Sequence, residues 1–285
     1  MKTTEGKIEI DKARSMRVTK TNALVQKTRY SLTIAEQKAL CYVISLLKKK
    51  ESEPPQLIYK FDIVDYCRIV GIQVNGKNYS DVKKNLKGLS DKSFWITEWD
   101  EKGKPAEKLL RWINEVTIKP NSGNVTIEIS KNMIPYLFNL YNNFVSYQLY
   151  WILALSSTYS IQFYELLSSY LFVGKKEFEI GEIRKMINCE NKYKGYKDLK
   201  KWVFEPSVTQ INEYTNLTVE YFPIKRGRTI TSIVFKVKKK KNIDSLISYR
   251  KTIAKVNGME FNEDQHNIFE YLMSQTPHAD LCAEP

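Results

Sequence analysis

One order of secondary-structure signals occurs twice in this chain, and it limits the fold more than any single motif. Each half reads helix, short strand, helix, helix, hairpin, although no close sequence repeat links the halves. In the first half a helix is predicted from about Thr33 to Lys49. Thr33 and Glu36 have the spacing of a capping box, and Leu40, Val43, Ile44 and Leu47 recur at helical intervals. The run KKKESEPP from Lys48 ends that helix, and a short β segment, LIYKF, follows. Next come a helix near Asp62–Val70, a turn through Gly71–Gly76 and a helix over about Ser80–Ser90. Three β-like stretches close the half: FWITEW, LLRWINEVTI and NVTIEIS, the first two joined by the polar hairpin tip DEKGKPAEK.

In the second half a helix rich in Leu and Tyr is expected from Ser160 to Phe172. A strand at EFEI, a short helix at Gly181–Ile187 and a longer helical stretch at Tyr196–Tyr214 follow. Two strands, LTVEYFPI and TITSIVFKV, flank the turn KRGR at 225–228. Pro206 lacks the N–H a helix interior needs, so a kink or break is expected there, with Pro206 opening a second short helix. These are the ingredients of an α+β protein made of two tandem winged-helix domains. The division expected is a flexible leader at 1–17, a first winged helix at 18–147, a second at 148–241 and an acidic extension at 242–285. Segment 131–150 reads as the junction.

Charge narrows the partner. The net charge is +13, but residues 256–285 hold six acids and no Lys or Arg, which leaves the first 255 residues at +19. A body that basic is drawn to polyanions, and DNA, RNA and anionic membranes all qualify. A composition of 42% hydrophobic and 27% charged residues is that of a globular protein. No apolar run approaches the roughly 20 residues of a bilayer span, and the first residues, MKTTEGKIEIDKARS, lack the apolar block of a signal peptide. A cytoplasmic protein is expected.

Chemistry is sparse. Cys41, Cys67, Cys189 and Cys282 form no CxxC pair, and His266 and His278 are the only histidines, so neither a metal, a cofactor nor a His-based nucleophile is expected. A rolling-circle nickase would need clustered histidines, and residues 1–265 contain none. No acidic pair suggests catalysis, and no enzymatic activity is expected. GIQVNGKN at 71–78 has the spacing of a phosphate-binding loop, but Asn78 stands where Ser or Thr should bind magnesium, so a turn between helices is the better reading. QHNIF at 265–269 resembles a short sliding-clamp motif, against the plainer reading of an amphipathic helix over about Asn262–Ser274.

The stretch from Lys192 to Lys241 holds the richest constellation. A groove-reading helix needs one apolar face to dock and one cationic or amide face to read. Leu199, Val203 and Ile211 can dock, while Lys197, Lys200, Lys201, Ser207 and Gln210 supply the other face. The turn adds Lys225, Arg226 and Arg228, and no acid lies between Lys225 and Lys241. In the first half Lys83, Lys84 and Lys87 are candidates for phosphate contact, bracketed by Asp81 and Asp91, so a supporting or dimerising role is expected there.

These residues together resemble the winged-helix plasmid replication initiators, the Rep proteins that bind repeated origin sequences called iterons. The similar stretches are VTKTNALVQKTRYSLTIAEQKALCYVISLL at 18–47, ISKNMIPYLFNLYNNFVSYQL at 129–149, YSIQFYELLSSYL at 159–171 and GYKDLKKWVFEPSVTQINEYTNLTVEYFPIKRGRTITSIVFKV at 195–237. The resemblance implies binding to duplex origin repeats, opening of the duplex nearby, recruitment of host replication proteins and a monomer–dimer equilibrium in which the dimer represses its own promoter. By position it also implies that Tyr196, Lys197, Lys200, Lys201, Ser207 and Gln210 lie on the recognition helix and Lys225, Arg226 and Arg228 on the wing. The rival expectations are a sequence-specific repressor without initiation activity, and a basic protein that binds RNA or membranes.

Overall fold

The computed structural model describes residues 10, 12–47, 54–99, 101–119, 122–140 and 143–240. In chain order the first half holds β1 (Arg17–Thr21), α1 (Asn22–Lys27), β2 (Thr28–Arg29), α2 (Ile34–Ser45), β3 (Ile58–Asp62), α3 (Ile63–Val70), α4 (Gly76–Asp91), β4 (Ser93–Trp99), β5 (Pro105–Arg111), β6 (Ile113–Ile118) and β7 (Asn124–Ile129). A 3-10 turn (Lys131–Met133), α5 (Ile134–Leu137), β8 (Phe144–Gln148) and α6 (Leu149–Ala154) lead to α7 (Thr158–Ser169), β9 (Lys175–Glu179) and α8 (Ile180–Met186). The long helical stretch is α9 (Tyr196–Leu199), a π turn (Lys200–Phe204) and α10 (Glu205–Tyr214), followed by β10 (Leu217–Arg226) and β11 (Thr229–Lys239). Residues 241–285, with the QHNIF motif, lie outside the described residues.

Local rules account for the helix starts. Thr33 caps α2 by accepting from the Glu36 N–H, while the Glu36 carboxylate accepts from the Thr33 N–H, so the capping box forms. Glu36 then takes Lys92 Nζ at 2.5 Å. A Cβ on Gly88 of α4 would come within 2.7 Å of Glu36 Oε1, so this mid-helix glycine lets α4 approach the fixed carboxylate. Asn75 caps α4 by accepting from the Asn78 N–H at 2.8 Å. The 71–75 turn therefore joins helix to helix, and no strand enters it.

Three sequence expectations change. The leader does not extend to residue 17: residues 12–15 are helical, and buried Arg14 donates to the Ile69 and Arg68 carbonyls at 2.6 and 3.0 Å, placing a cation on the last turn of α3. The stretch LLRWINEVTI is two strands in different sheets. β5 belongs to the sheet β2-β4-β5 and β6 to the sheet β3-β7-β6, with the chain crossing over at Trp112. That indole is buried at the corner, 4.2 Å from the Phe94 ring and edge-on to Tyr30 at 5.7 Å. Segment 131–150 is more than a connection, since β8 pairs antiparallel with β1 over Arg17–Thr21.

Both halves place the short strand before the second helix against the last strand of a hairpin: β3 on β7, and β9 on β11. By this pairing the wing of the first half is the β6–β7 hairpin, and the β4–β5 hairpin is an addition to the winged-helix plan. In the second half Phe204 sits in an aromatic core with Phe163, Tyr221 and Phe235, at centroid distances of 5.8, 5.8 and 6.0 Å.

A buried ion pair ties the halves together. Lys20 Nζ of β1 lies 2.5 Å from Glu165 Oε1 of α7, each side chain 3% exposed. Tyr147 of β8 donates to the same carboxylate, and Tyr30 donates at 3.4 Å. The Cys41 thiol of α2 stands 3.8 Å from both charges, and burial pushes it up to about 12, so it stays protonated at neutral pH. Removing one charge strands the other. Lys20→Met or Glu165→Gln alone is expected to cost about 3–5 kcal/mol, and the double variant less than the sum, as read by urea denaturation. Additive losses would mean the pair does not act as a unit. Burial raises the Glu36 carboxyl, but the hydrogen bonds from Lys92 and Thr33 outweigh it and hold it below its ordinary 4.5. Its contribution is therefore present above pH 4.5 and is lost as pH falls through the lowered value. Lys92→Met should destabilise at neutral pH, with a deficit that shrinks on acidification, as followed by thermal melts across pH.

Candidate nucleic-acid interface

The helical stretch 196–214 is continuous through Pro206. The Glu205 N–H reaches the Lys200 carbonyl, an i to i−5 bond that makes the preceding turn wide. Pro206 then falls in the first turn of α10, the position where its fixed φ suits a helix. The expected break is thus absorbed by a π turn, although Pro206 does open a separate α segment. Leu199, Val203 and Ile211 are buried, as a docking face requires, and Phe204 joins them.

The expected reading face divides. Lys197, Lys200 and Lys201 are exposed, with Lys200 3.3 Å from Glu205. Tyr196 is half-buried with its ring against Phe204. Ser207 is 1% exposed, so it faces the core and not a ligand. The Gln210 carbonyl accepts from the Ser156 N–H at 3.0 Å, just before α7, which commits that end of the side chain to the fold. The wing is better presented. Lys225, Arg226 and Arg228 are exposed at the hairpin tip, where Gly227 takes φ +61 in a two-residue turn.

Residues missed from sequence complete this surface. Trp202 is 55% exposed, with Lys201 Nζ 4.5 Å from its ring centroid. A lone tryptophan beside an apolar stripe carries no periodic sign of its own, and it is placed only by its neighbours. In the first half Lys84 and Lys87 are exposed, while Lys83 is half-buried with Nζ 4.5 Å over the Tyr79 ring. Exposed Lys77, two helical turns before Lys84, shares the face of α4 that Lys84 occupies. Among the described residues no group of three or more His, Cys, Asp or Glu could hold a metal ion, and no helix is long and apolar enough to cross a membrane.

Fold and surface define a tandem winged-helix protein with a cationic helix and wing. Residues 17–168 match the family described as Initiator Replication protein, WH1, and residues 179–237 match Initiator Rep protein, WH2. The chain belongs to this family of winged-helix replication initiators. A Replication initiation protein of Escherichia coli is 27% identical over 238 residues, which cover 81% of this chain and 72% of that protein. An uncharacterized 27.6 kDa protein of Escherichia coli is 25% identical over 179 residues, 62% of this chain and 74% of its own length. Among solved structures, the Pi initiator protein in complex with iteron DNA superposes with a TM-score of 0.65 at 19% identity. The match covers 80% of this chain and 99% of that one, and it shows a shared fold.

The surface generates a graded expectation. Alanine at Lys225, Arg226 and Arg228 should weaken binding to duplex DNA and lower the salt slope by about 0.9 for each phosphate no longer neutralised. Ser207→Ala should leave that slope unchanged. Filter-binding titrations at several salt concentrations measure both, and an unaltered slope in the wing variant would place the DNA elsewhere.

Proposed function

We propose that this replication initiator binds repeated origin DNA in duplex form, chiefly through residues 148–241, opens the duplex nearby and recruits host replication proteins. The observation that carries this reading is the exposed cationic surface of Lys197, Lys200, Lys201 and Trp202 on the helix and Lys225, Arg226 and Arg228 on the wing. A helix of this kind fits the major groove, and a wing of this charge suits the phosphate backbone. The Pi initiator's iteron complex and the initiation relative make origin repeats the favoured sequence class. Lys77, Lys84 and Lys87 of α4 supply a second phosphate contact.

The first half also dimerises in this proposal, and the dimer represses the promoter of its own gene. β5 is an edge strand. Beside it Trp95, Trp99 and Leu109 are exposed, with Trp95 directly opposite Leu109. An apolar edge of this kind invites pairing with a second copy. Trp95→Ser with Leu109→Ser should shift sedimentation toward monomer at concentrations where the parent dimerises.

The decisive test is genetic. The coding gene and its upstream repeats, placed on a plasmid lacking an origin, are expected to replicate in a suitable host. Tight repeat binding without replication would leave a repressor. Equal competition by RNA or anionic vesicles in gel shifts would remove the duplex-specific reading.

A further inference from the structure

Beside the wing lies an exposed apolar strip. On β10, Leu217, Val219 and Tyr221 point to the core, while Phe222 and Ile224 are 43% and 38% exposed on the other face. Lys236 of β11 holds Nζ 4.9 Å from the Phe222 ring centroid. Lys225, Arg226 and Arg228 continue this strip to the hairpin tip. The same sheet face also carries Glu220 of β10 opposite Lys236, and Lys175, Glu177 and Glu179 on β9, all exposed. Signs are mixed at that end of the face, and the unbroken run of cations lies beyond Ile224, at the wing tip.

The same chain contains a segment of complementary chemistry. Residues 256–285 carry Glu260, Glu263, Asp264, Glu270, Asp280 and Glu284 without one Lys or Arg, interleaved with Phe261, Ile268, Phe269, Tyr271 and Leu272. They follow β11 in the chain after residues 241–255, which fully extended span at most roughly 50 Å. The 11 residues of β11 measure roughly 35 Å. The wing tip is thus within reach of the segment.

We propose that residues 256–285 dock in cis on the strip formed by Phe222, Ile224, Lys236 and the wing cations, and compete there with duplex DNA. The carboxylates take the wing charges that phosphates would otherwise take, and the aromatic residues cover Phe222 and Ile224. Docking of this kind makes DNA binding conditional: a strong site displaces the segment, and weak non-specific duplex does not. The competition rests on the DNA-facing reading of the wing, whereas docking itself does not.

Two full-chain variants separate docking from simple net charge. One combines Glu260→Gln, Glu263→Gln, Asp264→Asn and Glu270→Gln. The other combines Phe261→Ser, Ile268→Ser and Phe269→Ser, which leaves the charge unchanged. A tethered segment acts at an effective concentration on the order of 1 mM, so a weak contact lowers affinity several-fold. Both variants should therefore bind a short random-sequence duplex about 3- to 10-fold more tightly at low salt, with the difference vanishing at high salt. In the parent chain, carbodiimide should link tail carboxylates to Lys225 or Lys236 within one chain, as shown by mass spectrometry of mixed isotope-labelled and unlabelled protein, and duplex should suppress those links. A gain in the charge variant alone, or links only between chains or none at these lysines, would overturn docking. Intrachain links that duplex leaves intact would overturn the competition and the DNA-facing assignment of the wing, while the docking stands.

Discussion

The pair formed by Lys20 and Glu165 is the constraint on which the arrangement of the two halves depends. Glu165 belongs to the helix that opens the second repeat of the fold, yet its partners Lys20, Tyr30, Tyr147 and Cys41 all come from residues before that helix. Two charges out of water are stable only when their remaining hydrogen-bonding capacity is met nearby. That condition fixes β1, α2, β8 and α7 in one mutual orientation, because each supplies a group to the cluster. An apolar contact would hold these elements with more latitude, since apolar surfaces slide at little cost while ions and hydroxyls do not.

The winged-helix plan is repeated by pairing more than by sequence. In each half the short strand before the second helix lies on the closing strand of a hairpin, so the hairpin projects beside the third helix. The first half then adds the β4–β5 hairpin between its third helix and its wing, and uses Trp112 as the corner where the chain changes sheets. This addition has exposed Trp95 and Trp99 on one face, and it distinguishes the first unit's surface from the cationic one of the second.

What the sequence disclosed follows the range of the interactions. The Thr33–Glu36 box, the docking stripe of Leu199, Val203 and Ile211, and the turn at Gly227 are local or periodic, and they were legible. The pairing of β1 with β8, the burial of Arg14 and the carboxylate of Glu165 depend on residues far apart in the chain, and no spacing rule reports them. Within the site Gln210 shows the same limit, since its partner, the Ser156 N–H, is far away in sequence. Ser207 is different: it stands four residues from both Val203 and Ile211, so helical spacing puts it on the docking stripe itself, where it is buried. The lysines and arginines of the helix and wing were easier to place, because a charge without a buried partner stays in water.

That wide turn has a consequence for how such a surface could diverge. A π turn holds one residue more than an α turn closing the same helix, and each residue rotates an α-helix by about 100°. The turn lies between the start of the helix, with Lys197 and buried Leu199, and the part that packs on α7 and β10. Loss of a single residue there would turn Lys197 to a new bearing and carry Leu199 out of the core with it, while Ile211 kept its place. The bearing of the outward cations is therefore tied to the seating of Leu199, and the helix cannot re-aim one without repacking the other.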